Sequence, residues 1–224
     1  HVYYPSSTEF PAITICNKNQ FLTGQALNHV QNVMKREGIA DIANNTLFAT
    51  LSNSVSTMIL NLNNLRYTAS METNVANVSE SLRRSYSNSF NETVLFCMFK
   101  TGECTENDFV WRYMVDYGSC WAFNSGFDRH GNRMDIKLVN KPGQFDGLQM
   151  LLYLGVPDDE RTLTKDVGAH IFIHNNTVLP NLYEGLSIST GHSSNVVLTK
   201  TFQDYLPSPY NECFEELDSL DDFD

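Results

Sequence analysis

The sequence predicts an α+β domain in which a helical insertion interrupts a β-sheet, and three patterns carry this prediction. Residues 1 to 22 are typical of extended chain, with a β-branched run from Phe10 to Cys16. Between Leu22 and Phe99 apolar side chains recur every three or four residues, as on one face of a helix. After Cys120 apolar and polar side chains alternate, as in strands with one solvent-exposed face. The predicted order is therefore strand, helical insertion, then several strands.

Three amphipathic helices are predicted in the insertion, the second ending near Asn63 and Asn64. The simple interpretation of all three is core packing of a helical subdomain. The alternative is that some of their aromatic side chains are exposed and line a ligand groove: Tyr67, Tyr86 and Phe90. The apolar stripes are Leu27, Val30 and Met34; Leu47, Leu51, Val55, Met58, Leu62 and Leu65; and Leu82, Tyr86, Phe90 and Val94.

The second half of the chain is predicted to contain one short helix and several strands. Thr105 and Asp108 have the spacing of a capping box, which predicts a helix that ends at Gly118. The segment from Leu148 to Leu154 is apolar on both faces and predicts a central strand. Three alternating patterns predict further strands: Met134, Ile136 and Leu138; Ala169, Ile171 and Ile173; and Val196 and Leu198 with their neighbours up to Tyr205.

Composition and motifs argue against an enzyme, a nucleic-acid-binding protein and a cofactor. The formal net charge is -11, whereas binding to nucleic acid requires clustered Lys and Arg. The sequence has no nucleophile elbow and no phosphate-binding glycine loop. His170 and His174 lie on a predicted strand, where four residues span roughly 13 Å, too far for two ligands of one metal ion. The longest apolar stretch, Leu148 to Val156, is about half the length of a membrane span.

Glycosylation acceptors and an odd number of cysteines indicate an extracellular chain. Five cysteines leave one unpaired in any internal scheme, which suggests a partner beyond the end of this sequence; the alternative is a buried free thiol. Cys97 and Cys104 enclose a six-residue turn with Gly102, which would close easily as a small disulfide loop. The acceptor triplets begin at Asn44, Asn77, Asn91 and Asn175.

Four blocks, in order and over nearly the whole chain, resemble degenerin/epithelial sodium channels. The run from Phe10 to Asn17, with Asn19 and Phe21 after it, is similar to the segment that follows the first membrane helix of that family. The residues from Tyr117 to Gly126 are similar to its Tyr-Gly-x-Cys-Tyr-x-Phe-Asn signature, with Trp121 at the second tyrosine. The two weaker matches are Gly168 to His174, and Tyr205-Leu206-Pro207 leading to Tyr210 and Cys213.

The resemblance implies a hand-shaped channel ectodomain without its thumb and both membrane helices. It implies disulfides between Cys16 and Cys120 and between Cys97 and Cys104, with Cys213 bonded to a cysteine of the thumb outside this chain. The implied domain plan is a first palm strand region at 1–21, a helical finger insertion at 22–104, and the finger end and return to the palm at 105–135. Palm and β-ball strands follow at 136–213, and the thumb begins at 214–224.

The whole protein implied by the resemblance is a multi-pass plasma membrane channel that is selective for Na⁺ and blocked by amiloride. It has three subunits, with a homotrimer expected, and this segment is the extracellular, ligand-sensing part. The preferred trigger is an extracellular neuropeptide of the FMRFamide type, whose Phe side chains would contact the three aromatic candidates and whose Arg would suit the acidic surface.

Two other triggers remain open within the same family, and one alternative belongs to another class. A proton-gated channel would use clustered carboxylates that repel when ionised: Asp158, Asp159 and Glu160. A mechanically gated or constitutive channel needs no pocket. The alternative from another class is a secreted glycoprotein that binds a peptide.

Overall fold

The computed structural model describes residues 6–36, 64–73, 78–143, 145–155 and 167–201. The chain divides into two units, His1–His192 and Ser193–Asp224. The first unit holds all the helices and strands of the described residues. In the second unit, residues 193–201 are described and have no helix or strand.

A five-stranded antiparallel sheet forms the centre of the first unit, in the order β10-β9-β2-β6-β5. Its strands are β2 (Ala12–Asn17), β5 (Phe109–Met114), β6 (Gly118–Phe123), β9 (Gly168–His174) and β10 (Leu186–Ser189). Strand β2 is central because it pairs with β6 on one edge and β9 on the other. Its first five residues are buried, which agrees with the apolar, β-branched run in the sequence.

A three-stranded sheet, in the order β4-β3-β8, packs over one face of the five-stranded sheet. Its strands are β3 (Val94–Phe99), β4 (Gly102–Glu103) and β8 (Leu148–Leu152). The core between the two sheets is aromatic: Phe99 lies 5.1 Å from Phe10 and 5.5 Å from Phe123, between ring centroids. Before β2 in the chain, the short strand β1 (Thr8–Glu9) pairs with β7 (Leu138–Val139) in a separate two-stranded sheet.

Helices cover the end of the central strand. Helix α1 is Gly24–Arg36, helix α2 comprises residues 64–73, α3 is Glu80–Arg84 and α4 is Phe90–Thr93. His29 on α1 joins α1 to α2, because its Nε2 atom lies 3.0 Å from the Thr73 hydroxyl oxygen and 3.1 Å from the Ala69 carbonyl oxygen. Its ring also stacks on Tyr86, at 5.1 Å between centroids.

The third predicted helix is wrong as a continuous element. The chain forms α3, then a turn, and Ser89 with Glu92 forms a capping box that starts α4 as a new helix. Val94 then begins β3, where it pairs with Leu152 of β8. The helical insertion therefore ends before residue 94, and the strands β3 and β4 occupy the rest of the range predicted as helical.

The predicted helix from Thr105 to Gly118 is also wrong, although its capping box forms. Thr105 and Asp108 hydrogen-bond as a box, but they cap only a 3₁₀ turn, Glu106–Asp108. The next six residues form β5, which is aligned with β6 over its whole length. Sheet pairing of a strand rich in aromatic and β-branched side chains overrides the local start signal.

Three further predictions need smaller corrections. Strand β8 lies at the edge of its sheet and is not central. The alternation from Met134 to Leu138 yields only β7, and residues 196–201 form no strand, while 202–205 lie outside the described residues. The second predicted helix lies outside the described residues up to residue 63, and the described residues after it, 64–73, are helical. Within the described part of the chain, no helix is long and apolar enough to cross a membrane.

Gly118, at the turn between β5 and β6, provides a test of this packing. Its φ is +71°, and an added Cβ would lie 2.9 Å from the Cβ of Gln20. Gly118→Ala should therefore lower the free energy of unfolding by about 2–3 kcal/mol, from backbone strain together with the clash. Gly131→Ala is the matched control, since Gly131 has φ +84° but no atom within 4 Å of an added Cβ. Thermal melting of the two purified variants measures the difference, and equal melting temperatures would contradict the close packing at Gly118.

Candidate functional site

Three of the four sequence motifs lie side by side in the five-stranded sheet. The run that begins at Phe10 supplies β2, the block from Tyr117 to Gly126 supplies β6, and the block from Gly168 to His174 is β9. These strands are neighbours in the order β9-β2-β6. The fourth motif, from Tyr205, lies outside the described residues. We call the three strands the motif sheet and treat it as the candidate functional site.

A disulfide joins two strands of the motif sheet at directly opposed positions. Cys16 of β2 faces Cys120 of β6 in the register, with their Cα atoms 4.3 Å apart. Both residues are fully buried and pack against Phe172 of β9. A second disulfide, Cys97–Cys104, closes the β3–β4 hairpin. These are the two pairings that the resemblance implies, and Cys213 lies outside the described residues.

Two buried asparagines hold the other end of the motif sheet. The side chain of Asn124, after β6, donates to the Phe10 carbonyl oxygen and accepts from the Lys137 backbone N–H at 2.7 Å. The side-chain amide of Asn176, after β9, donates to the carbonyl oxygens of Phe10 (2.9 Å) and Asn124 (2.7 Å). In return, Gly126 N–H donates to the Asn176 carbonyl oxygen at 2.8 Å. This network fixes the start of β2 against the ends of its two neighbours.

The motif sheet carries two histidines on β9, considered from the sequence only as metal ligands, and the half-buried one that contacts β2 is His174. Its Nε2 atom lies 2.8 Å from the hydroxyl oxygen of Thr14, which is fully buried on β2, and its Nδ1 atom lies 2.9 Å from the Asn175 carbonyl oxygen. Burial is the largest effect on this imidazole and lowers its pKa, and the positive charge of Arg112 acts in the same direction. Hydrogen bonds to backbone carbonyls oppose this shift but do not cancel it.

The arrangement favours a neutral imidazole that bridges β9 and β2. In the neutral form with Nδ1 protonated, Nδ1 donates to the Asn175 carbonyl and Nε2 accepts from the Thr14 hydroxyl. A proton added at Nε2 reverses this hydrogen bond, because Nε2–H then donates to the Thr14 hydroxyl oxygen, and the hydroxyl proton needs another acceptor. Because burial lowers the pKa of His174, the folded structure disfavours the charged imidazole, and acid therefore lowers the stability of the junction between β2 and β9. The signal for this pair was absent from the sequence pattern because it depends on the register of the two strands.

The expectation of an exposed aromatic groove is wrong for two of its three residues. Tyr86 is 2% exposed and Phe90 is 5% exposed, because Tyr86 packs on His29 and Phe90 packs on Trp121. Only Tyr67, on α2, is exposed, at 56%. The carboxylate candidates Asp158, Asp159 and Glu160 lie outside the described residues. Among the described candidates, Tyr67 alone is exposed to a ligand.

Two of the four glycosylation acceptors are described, and both are exposed: Asn91 and Asn175. The side-chain oxygen of Asn175 accepts from both the N–H and the hydroxyl of Thr177, at 3.0 Å each. Asn91 instead lies in α4, where the hydroxyl of Thr93 is turned to the Ser89 carbonyl oxygen at 2.9 Å. Asn44 and Asn77 lie outside the described residues. Use of these acceptors stays a prediction.

A polar cleft with compensated charges lies beside the motif sheet. It has a volume of about 420 Å³ and includes Asp108, Asn124 and Lys137 in its lining. Lys137 forms an ion pair with Asp108 at 2.7 Å. Burial tends to raise the pKa of the Asp108 carboxyl, but hydrogen bonds from Lys137 and Thr105 outweigh it and lower the pKa. We interpret this pair as a structural link between the β5 capping box and the segment before β7.

Comparisons with known proteins agree with the family resemblance of the sequence blocks. The family model described as amiloride-sensitive sodium channel matches residues 1–223. Acid-sensing ion channel 2 of Homo sapiens is 27% identical over 229 residues, which cover 97% of this chain and 42% of that protein. Acid-sensing ion channel 1C of Danio rerio is 28% identical over 218 residues, covering 91% and 39%. The gamma subunit of the epithelial sodium channel of Bos taurus is 26% identical over 145 residues, covering 63% and 21%.

The family and the relatives that the chain matches are ion channels and not enzymes, and this defines the class of protein to which it is similar. The chain belongs to the degenerin/epithelial sodium channel family, whose model spans it almost completely. It covers about two fifths of the length of the curated acid-sensing relatives that it matches.

The Cys16–Cys120 bond provides the first test of the site. Cys120→Ala should lower the free energy of unfolding by about 4–5 kcal/mol, because the bond closes a loop with a sequence separation of 104 residues. Surface expression of the full-length protein should fall sharply. The double variant Cys97→Ala, Cys104→Ala opens a loop of separation 7 and should cost only about 2–3 kcal/mol. Normal surface expression of Cys120→Ala would contradict the importance of this bond.

The Thr14–His174 contact provides the second test. Because the pKa of His174 is lowered in the folded state, the unfolded chain binds the proton more readily. Stability should therefore fall as the pH drops below about 6.5, the ordinary value for histidine. Melting temperatures between pH 7.5 and pH 5.5 should show this fall, and His174→Gln should reduce it. The exposed His192 supplies the control variant His192→Gln. An unchanged pH dependence in His174→Gln would show that other groups are responsible.

Proposed function

We propose that the chain is the extracellular, stimulus-sensing part of a trimeric, amiloride-sensitive, sodium-selective channel of the plasma membrane. The observation that supports this proposal most directly is the family match over residues 1–223. The motif sheet, which is built from three of the family blocks, adds to that support. Two disulfides among the described cysteines suit an oxidising, extracellular compartment. The relatives are longer than this chain, and in this proposal the remainder supplies the thumb, the membrane helices and the pore.

Strand β2 is the element best placed to pass a signal towards the membrane. It is bonded along both edges and is linked covalently to β6, so β6 and β9 cannot move without moving it. In the proposed channel, the chain that precedes β2 continues from the first membrane helix. A stimulus that favours one arrangement of the motif sheet then biases the gate by its differential affinity for the two arrangements.

The described residues supply a structural observation in favour of acid as the trigger. The imidazole of His174 sits between β9 and β2 with a lowered pKa, and the charged group that acts on it electrostatically is Arg112 of β5. Protonation reverses the hydrogen bond with the buried Thr14 hydroxyl, and it places a charged imidazole in a half-buried position near Arg112. Two of the relatives compared above are named acid-sensing ion channels. Acid gating through the motif sheet is therefore our first candidate.

A neuropeptide of the FMRFamide type remains the second candidate trigger. It draws support from the net charge of -11, which suits a peptide that carries Arg, and from exposed Tyr67 on α2. The burial of Tyr86 and Phe90 removes the groove that the aromatic pattern had suggested. A mechanically gated or constitutively open channel is the third candidate, and it needs neither a titratable contact nor a peptide-binding surface.

Whole-cell current from the full-length protein tests both the class and the trigger. A step from pH 7.4 to pH 5.5 should evoke an inward sodium current that amiloride blocks, and His174→Gln should shift the half-activating pH while His192→Gln should not. A current evoked by an amidated peptide at constant pH, without an acid response, would replace acid by the second candidate. The absence of any amiloride-sensitive current under acid, peptide and stretch would contradict the channel proposal and favour a secreted peptide-binding glycoprotein.

A further inference from the structure

A small cleft lies where the end of β2, helix α2 and the β5–β6 turn meet. Its volume is about 230 Å³, and it is separate from the larger cleft beside β7. The residues that line it are Asn17, Lys18, Arg66, Asp116, Tyr117 and His170. Four elements, β9 with His170 included, therefore contribute to one polar site, at the opposite end of β2 from the asparagine network.

The charges of this cleft are unusual for so acidic a chain. Lys18 and Arg66 bring two cations, and Asp116 brings one anion. Within the described part of the chain, ion pairs within 4 Å include Lys137 with Asp108 and Arg84 with Glu80, but none that involves Lys18 or Arg66. Both cations are half-buried, so they have lost part of their hydration without gaining a partner. An anion bound between them would compensate this loss.

Tyr117 forms a firmly held wall of the cleft. Its hydroxyl donates to the Leu182 carbonyl oxygen at 2.9 Å. Its ring packs edge-on against His170 and Phe172, each with centroids 4.9 Å away. Burial and the nearby Asp116 raise the pKa of this phenol, while the charge of Arg66 lowers it, which indicates that both charges act at this ring. The site thus combines an aromatic surface with an adjacent cation.

Buried polar atoms on the same segments also lack protein partners. Among the described residues, the side-chain amide nitrogen of Asn19 and the hydroxyl oxygen of Ser119 are buried and have no hydrogen-bond partner. Asn19 follows Lys18 directly, and Ser119 follows the turn that carries Asp116 and Tyr117. Neither residue lines the cleft, and because buried polar groups are nearly always hydrogen-bonded, ordered water is expected beside these two atoms.

We propose that this cleft binds a small monocarboxylate, with the carboxylate between Lys18 and Arg66 and the apolar part against Tyr117. A guanidinium donates to both oxygens of a carboxylate, and a lysine ammonium adds a third charge-assisted hydrogen bond. Tyr117 offers contact to the apolar part of a carboxylate, which inorganic phosphate lacks, so the cleft favours an aromatic monocarboxylate over phosphate. An Arg-bearing peptide would be repelled by the two cations, and the site is therefore distinct from the trigger sites proposed above.

Benzoate is a suitable probe, and benzamide is its neutral counterpart of nearly the same shape. Isothermal titration of the purified full-length protein should show binding of benzoate, with benzamide and inorganic phosphate each at least about tenfold weaker. Binding should also weaken as the salt concentration rises. Because this measurement needs no current, it can fail while the channel proposal holds, and the reverse is equally true.

Variants assign the binding to this cleft. Lys18→Gln and Arg66→Gln should each weaken benzoate binding about tenfold or more, whereas Lys35→Gln, at an exposed lysine of α1, should leave it unchanged. Lys18→Arg keeps the charge and should retain binding, which separates a charge effect from a folding defect. Asp116→Asn should strengthen binding, because it removes a like charge. Equal binding of benzamide, or benzoate binding unaffected by both glutamine variants, would overturn the proposal.

Discussion

Strand β2 is hydrogen-bonded along both edges, and the described fold depends on this constraint. Its pairing with β6 and β9 aligns the three family blocks and places Cys16 opposite Cys120. One end of the strand is fixed by the amides of Asn124 and Asn176, and the other by the disulfide. A strand held at both ends behaves as a rigid element, so a change at either neighbour is transmitted along it and is not absorbed locally.

The sequence predicted the strand within Phe10 to Cys16 from its β-branched run, but the run from Leu148 to Leu154, apolar on both faces, predicted a central strand and contains the edge strand β8. The prediction was wrong where a helix-start signal does form but sheet pairing determines the structure of the residues after it. The capping box at Thr105 does form, but pairing with β6 makes Phe109–Met114 a strand. The spacing that joins Tyr86, Phe90 and Val94 likewise spans a turn, a short helix and the start of β3. Periodicity alone does not show that the helix restarts at Ser89.

The candidate sites were less predictable than the fold, for a geometric reason. The pairing of Cys16 with Cys120 was implied by family resemblance, since five cysteines permit many connectivities. The Thr14–His174 contact and the cleft with Lys18 and Arg66 each join side chains that are far apart in sequence. Only the register of β2 against its neighbours and the placement of α2 bring them together. The two proposed sites lie at different positions along β2, so acid and a carboxylate would act on the same strand.

The small hairpin closed by Cys97 and Cys104 matters for how the chain acquires its bonds during synthesis. Among the four bonded cysteines, Cys16 is synthesised before Cys97 and Cys104, and Cys120 follows them, so Cys97 and Cys104 can compete for Cys16 until they are bonded to each other. Their separation of seven residues lets them find each other much faster than either finds Cys16. Early closure of the hairpin therefore removes both wrong partners from competition. The hairpin bond thus favours the correct Cys16–Cys120 disulfide in the other sheet, in addition to closing β3 and β4.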